Sequence, residues 1–158
     1  MRVGLGFDAH PFAEGRRLRL GGLDWDFPRG LSGHSDGDVV LHAVADALLG
    51  AAGLGSLGER FPDRDPANRQ RDSRDFVTEV WEELAPRFRL ANLDVLVLGE
   101  EPRISPRRAE VQRGIAQLLG TGEDRVCVRG TSTNGLGFLG RGEGLAALAT
   151  VLLEEKAP

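Results

Sequence analysis

The chain has 158 residues, of which 41% are hydrophobic and 28% charged, a balance that supports one domain with a real core and excludes extended disorder. Its net charge is −4, and all but one of its 20 basic residues are arginine. The arginines are scattered, so no nucleic-acid partner is expected, and the doublets Arg16-Arg17 and Arg107-Arg108 read as solvated surface.

The N-terminus enters a patterned segment directly, and residues 1–9 read as a strand. No leader-type segment and no apolar run near membrane-spanning length is present, so a cytoplasmic protein without a membrane partner is expected. Residues 17–20 and 23–27 alternate as short strands about a Gly21-Gly22 turn, and 28–35 read as a loop. A helix capped by Asp36 should run to about Ala52, where Gly53 and Gly55 stop it. Residues 53–72 read as a long loop. A second helix should span 74–85, capped by Ser73 and ended by Pro86. A strand follows at 92–98, then a helix from Ser105 and Pro106 to Gly120, then a strand at 125–131. The one cysteine, Cys127, precludes an intrachain disulfide and reads as a buried small hydrophobe between two valines. A Gly-rich loop covers 134–144. Periodicity does not decide between strand and helix for 145–153. The composition of strands and helices predicts an α/β or α+β sandwich.

The three histidines, His10, His34 and His42, fall close together among Asp8, Asp36, Asp38 and Asp46. Asp8 and His10 stand two apart, so a strand would turn both side chains to one face. His42 lies in the first helix, on a stripe with Asp38 and Asp46 at four-residue intervals. One helix carboxylate could orient its imidazole while the other ring nitrogen binds a metal. Three protein ligands would leave a fourth position open, as in catalytic zinc sites, and a phosphate oxygen could fill it.

The segment Gly33-His34-Ser35-Asp36-Gly37-Asp38 leads into that helix and could present N–H groups and an imidazole to an anion. A G-x-G-x-x-G match at residues 135–140 lies too near the end of the chain for a dinucleotide fold.

Four segments together resemble one family. They are Gly6-Phe7-Asp8-Ala9-His10, residues 33–38 with His42, Phe61-Pro62-Asp63-Arg64-Asp65, and residues 137–144 (GFLGRGEG). In this order they resemble the 2-C-methyl-D-erythritol 2,4-cyclodiphosphate synthases, over residues 1 to about 155. The resemblance implies an α+β fold: a single-domain α/β sandwich over residues 1–158, with a mixed sheet and helices on one side. The sheet would face the axis of a homotrimer, active sites would lie between subunits, and the last apolar segment would be a strand.

It implies a phosphorus–oxygen lyase of non-mevalonate isoprenoid biosynthesis. The substrate would be 4-diphosphocytidyl-2-C-methyl-D-erythritol 2-phosphate, whose 2-phosphate attacks the β-phosphorus and expels CMP. By the same resemblance, Asp8, His10 and His42 would hold zinc on the β-phosphate. His34 and Ser35 would hold phosphate, with His34 and Ser132 stabilising transition-state charge. Ser56, Leu57, Gly58, Phe61, Pro62, Asp63, Arg64 and Asp65 would shape the methylerythritol pocket. Pro102 and Arg103 would lie near the cytidine of an adjoining subunit, Thr131, Ser132 and Thr133 would contact nucleotide phosphates, and Phe138 and Arg141 would contact substrate or the central channel.

Three positions depart from the family's pattern. Ser56 replaces an Asp. Asn134 replaces a Glu that holds a second ion, Mg²⁺ or Mn²⁺, bridging the phosphates. Gly135 replaces a larger residue. Two alternatives remain open: an isoprenoid-diphosphate-binding protein of this fold, using the axial channel, and a metal-dependent phosphohydrolase.

Overall fold

A computed structural model describes residues 1–157. The chain begins with β1 (Arg2–Ala13) and then forms a small hairpin from β2 (Leu18–Leu20) and β3 (Leu23–Trp25). After β4 (Gly30–Leu31) come α1 (Val39–Ala52), the one-turn α2 (Leu57–Arg60) and α3 (Ser73–Leu84). Strand β5 (Phe88–Leu98), helix α4 (Arg108–Leu118) and strand β6 (Val126–Thr131) follow, and the one-turn α5 (Gly137–Gly140) leads into β7 (Gly144–Glu155). Five strands form a mixed sheet in the order β4-β1-β7-β5-β6, and only the β5–β6 pair is parallel. This is the α+β class and mixed sheet expected above.

Side chains along β1 alternate between the two faces of the sheet. Val3, Leu5 and Phe7 point away from the helices and are 56–68% exposed. Gly4, Gly6, Asp8 and His10 share the other face, against α1. The two glycines are required by the closeness of that helix: a Cβ on Gly4 would lie 1.9 Å from the Ala47 carbonyl oxygen, and one on Gly6 2.0 Å from that of Ala43. Ala43, Ala47 and Ala51, spaced one turn apart, form the matching small-residue stripe of α1. On the same face of the sheet, Leu145, Ala147, Ala149, Val151 and Leu153 of β7 and Leu93, Val95 and Val97 of β5 complete the core.

Several local expectations need correction. Asp38, not Asp36, caps α1: its side chain accepts from Val40 and Leu41 N–H, and also from Gly21 and Gly22 N–H at 2.9 and 2.6 Å. One buried carboxylate thus joins the β2–β3 turn to the helix start. Asp72, not Ser73, caps α3. Strand β1 continues past residue 9: Pro11 pairs with Gly144, and the ladder resumes when Phe12 N–H donates to the Glu143 carbonyl. Strand β5 begins at Phe88, earlier than expected, with a register irregularity between Leu90 and Asn92. The 53–72 loop contains α2, where Ser56 and Glu59 form a reciprocal cap, and a 3-10 turn at Pro66–Asn68. Ser105 makes no side-chain cap; a 3-10 turn at Ser105–Arg107 precedes α4. The ambiguous last segment is β7, paired on both sides, because only a strand there closes the sheet between β1 and β5. Cys127 is exposed, since β6 turns it to the uncovered face beside Asp94 and Arg129.

The β1–α1 contact yields a direct test. Gly6→Ala would force the helix outward, so unfolding free energy should fall by about 3 kcal/mol in denaturant titrations. Metal affinity should fall with it, because His42 rides on the displaced helix.

Candidate metal centre

Asp8 and His10 lie near the end of β1 on the helix-facing side, and α1 places His42 over them. Asp8 Oδ2 is 3.0 Å from His10 Nε2 and 2.9 Å from His42 Nδ1. All three donor atoms lie within 4.8 Å of one another. Two imidazole nitrogens and one carboxylate oxygen suit a divalent ion such as zinc. Tetrahedral bonds of about 2.0–2.1 Å would separate donors by roughly 3.3 Å, a few tenths of an ångström more than the two Asp8 contacts.

Burial alone would raise the Asp8 carboxyl, but hydrogen bonds to His10 and His42 outweigh it and hold the carboxyl well below the usual range. The Asp8 hydrogen bond raises His10 above its ordinary value, against burial, which lowers it. The other face of His42 does not meet the helix carboxylates Asp38 and Asp46. His42 Nε2 lies 2.9 Å from Ser73 Oγ and 3.0 Å from Ser35 Oγ, and Ser73 Oγ donates onward to Asp36. Asp38 is occupied at the helix cap, while Asp46 accepts from Leu57 N–H at 3.0 Å and anchors the 56–58 turn.

The centre opens into a cavity of about 420 Å³. His34, Ser35, Ser56, Leu57, Gly58, Phe61 and Asp63 all line it. The side chain of His34 is half exposed, with Nδ1 3.4 Å from Asp63 Oδ2. Three carbonyls of the loop carrying it are tied down: Gly33 and Ser35 accept from Arg16 at 2.9 and 2.7 Å, and His34 accepts from Gln70 N–H at 2.6 Å. A trans peptide points its N–H opposite its carbonyl, so these tethers turn the His34 N–H away from Arg16 and the Ser35 N–H away from Gln70. Of the expected pocket residues, Pro62, Arg64 and Asp65 do not line this cavity. Asp65 caps the 3-10 turn, and Arg64 opens onto a separate cavity.

A different cavity of about 350 Å³ holds Pro102, Arg103, Thr131 and Ser132. Thr133 sits beside it, where Glu100 accepts from its N–H and hydroxyl and from Gly135 N–H, at 3.0–3.3 Å. Asn134 is exposed with φ 54°, a left-handed conformation that asparagine accepts more readily than glutamate does. Phe138 and Arg141 line neither cavity; Arg141 pairs with Glu143 at 2.5 Å. Asp8, Ala147, Val97 and Gly130 stand at one level across β1, β7, β5 and β6. Asp8 and the β6 residues leading to Thr131 and Ser132 therefore share one end of the sheet, but their strands stand roughly 14 Å apart, three strand spacings. Sequence reasoning did not assign Glu100 or Arg16, and gave Ser73 and Asp36 only capping roles. Arg16 and Asp36 stand in loops beside the histidine segments, whereas Ser73 and Glu100 are distant from them in sequence and carry no local signal.

Fold and centre together define a small α+β protein with an Asp/His/His site for a divalent ion at the end of a mixed sheet. The chain belongs to the YgbB family, whose model matches residues 1–154. A 2-C-methyl-D-erythritol 2,4-cyclodiphosphate synthase of Moorella thermoacetica is 46% identical, over 99% of this chain and 96% of the relative. The bifunctional IspDF of Campylobacter jejuni superposes with a TM-score of 0.94 at 39% identity, over 98% of this chain, which spans 42% of that longer protein. IspF of Plasmodium falciparum, solved as a CDP complex, gives a TM-score of 0.87 at 28% identity, over 99% of this chain and 97% of that one. The family resemblance seen in the sequence is therefore correct. Among the described residues, no helix is long and apolar enough to cross a membrane.

Metal binding here competes with protons. In the metal-free protein, protonated His10 paired with Asp8 contributes stability that is complete below its ordinary 6.5 and lost as pH rises through its raised value. A metal ion reverses this sense, because it takes only the neutral ring. Apparent zinc affinity should therefore climb at least about tenfold per pH unit below 6.5 and level off only above the raised His10 value. Chelator competition across pH measures it, and a flat profile would remove His10 from the ligand set.

Proposed function

We propose that this chain converts 4-diphosphocytidyl-2-C-methyl-D-erythritol 2-phosphate to 2-C-methyl-D-erythritol 2,4-cyclodiphosphate and CMP. The observation that carries the reading is the Asp8/His10/His42 cluster opening into a cavity walled by His34, Ser35 and the 56–58 turn, in a chain of this family. An oxygen of the 2-phosphate forms a bond to the β-phosphorus. The bond from that phosphorus to the bridging oxygen breaks, and CMP leaves with the electron pair.

The bound divalent ion, zinc in this reading, supplies Lewis-acid neutralisation of phosphate charge. The rest falls to the protein. His34 and the N–H groups of residues 34 and 35 bind and orient phosphate oxygens, and Phe61, Leu57 and Gly58 shape the methylerythritol pocket. Both reacting groups belong to one substrate, so orientation alone can contribute about 7–11 kcal/mol. Ser56 keeps its turn in place through the cap with Glu59 and offers a hydroxyl in place of a carboxylate. Asn134 offers a neutral oxygen, so a second ion such as Mg²⁺ or Mn²⁺ is bound more weakly than by glutamate.

In this reading the nucleotide half of the site comes from a second subunit. Pro102, Arg103, Thr131, Ser132 and Thr133 stand across the sheet from the metal donors of their own chain. A threefold assembly through the uncovered sheet face would bring one subunit's metal cavity beside its neighbour's nucleotide cavity. It would also bury Val3, Leu5 and Phe7. Phe138 and Arg141 then belong to the substrate and channel contacts between subunits, and the axial channel remains the seat for an isoprenoid diphosphate.

Metal-loaded protein should release CMP from the diphosphocytidyl substrate and yield a cyclic diphosphate by ³¹P NMR. His42→Ala should lower turnover at least about a hundredfold. An open-chain phosphate product would instead establish a phosphohydrolase. Mass photometry or light scattering tests the assembly: wild type should be trimeric, and Leu5→Glu should shift it to monomer and abolish turnover while the isolated chain stays folded.

A further inference from the structure

A second cavity next to the metal pocket, of about 870 Å³, is larger than that pocket. It lies behind the loop that carries His34 and Ser35, which forms the shared wall between the two. Arg16, Arg17 and Arg19 line one side, and Arg64 and Arg69 come from the 61–72 segment opposite. The Arg16-Arg17 doublet, which reads as solvated surface in the sequence, is therefore one bank of an arginine-lined cleft.

Few of these charges are neutralised. Arg19 pairs with Asp72 at 3.0 Å and lies near Asp24 and Asp36. Arg16 spends its guanidinium on the carbonyls of Gly33 and Ser35, which carry no net charge. The side chains of Arg17, Arg64 and Arg69 make no hydrogen bond or ion pair among the described residues. Of the carboxylates on the cavity wall, Asp36 is shared between Ser73 and Arg19, and Asp63 faces His34. Elsewhere on the chain arginines commonly have an acid: Arg2 has Glu155, Arg71 has Glu79 and Arg129 has Asp94. Like charges gathered in a concave site repel one another, and an anion entering it relieves that repulsion. The guanidinium fork matches phosphate oxygens two at a time. The volume lies in the range of small-molecule pockets, and a net charge of −4 argues against a nucleic-acid track.

We propose that this cleft is a second anion site, separate from the metal centre, which takes a phosphorylated small molecule through Arg17, Arg64 and Arg69. Arg16 lies between the bound anion and the His34 loop and acts as a positioning residue for that loop.

The test titrates inorganic pyrophosphate calorimetrically into metal-loaded wild type, His42→Ala and the double variant Arg17→Ala/Arg69→Ala, with circular dichroism reporting the fold of each. His42→Ala should retain a pyrophosphate-binding event that weakens steeply with added salt. Arg17→Ala/Arg69→Ala should weaken that event at least tenfold, with metal content, kcat and KM for CMP release unchanged. Should the double variant not fold, the single variants Arg17→Gln and Arg69→Gln carry the same comparison. Two results overturn the proposal. One is pyrophosphate binding that disappears in His42→Ala and is untouched by the arginine changes. The other is a raised KM in the arginine variants, which would make the cleft part of the substrate pocket.

Discussion

The contact on which the rest depends is the direct seating of α1 on the backbone of β1. Gly4 and Gly6 carry no side chain, so the carbonyls of Ala43 and Ala47 approach the strand more closely than any Cβ would allow. Asp8 and His10 continue that same face of the strand, and His42 precedes Ala43 on the helix. Close packing at the glycines therefore carries the His42 ring to the Asp8 carboxylate. The chemistry at the end of β1 is a consequence of packing in its middle.

Environment separates the roles of carboxylates that look alike in sequence. Asp38 is fully buried and gathers four backbone N–H groups, so it welds the β2–β3 turn to the helix start. Asp36, two residues earlier, holds Ser73 and through it the outer nitrogen of His42. Asp46 anchors the 56–58 turn. Only Asp8 faces two imidazoles at the mouth of a cavity, and only there do hydrogen bonds depress a carboxyl against the effect of burial at a potential metal site. Such supporting groups fix which ring nitrogen is free to bind a metal.

The other face of β1 carries Val3, Leu5 and Phe7, exposed in the single chain. A strand with chemistry on one face and an apolar strip on the other ties site formation to whatever covers that strip. Asp8 on β1 and Thr131 on β6 stand at the same end of the sheet, with β7 and β5 between their strands.

The sequence by itself determined the elements whose signals are local. The spacing of Asp8 and His10 placed two donors on one strand face, and the apolar run after Asp38 marked α1. The motifs around residues 6–10, 33–42, 61–65 and 137–144 identified the family. What the tertiary structure alone decided depends on contacts distant along the chain. The uniformly apolar 145–153 segment became a strand because β1 and β5 needed a partner between them. Cys127 went to the exposed face because the register of β6 put Val126 and Val128 inside. The cap of α1 moved from Asp36 to Asp38 because only Asp38 could also reach the Gly21-Gly22 turn. The partner of His42 proved to be Ser73, thirty-one residues away along the chain, not a carboxylate one turn away on its helix. Side-chain spacing sets which face a residue occupies, whereas its partner is set by the element that packs against that face.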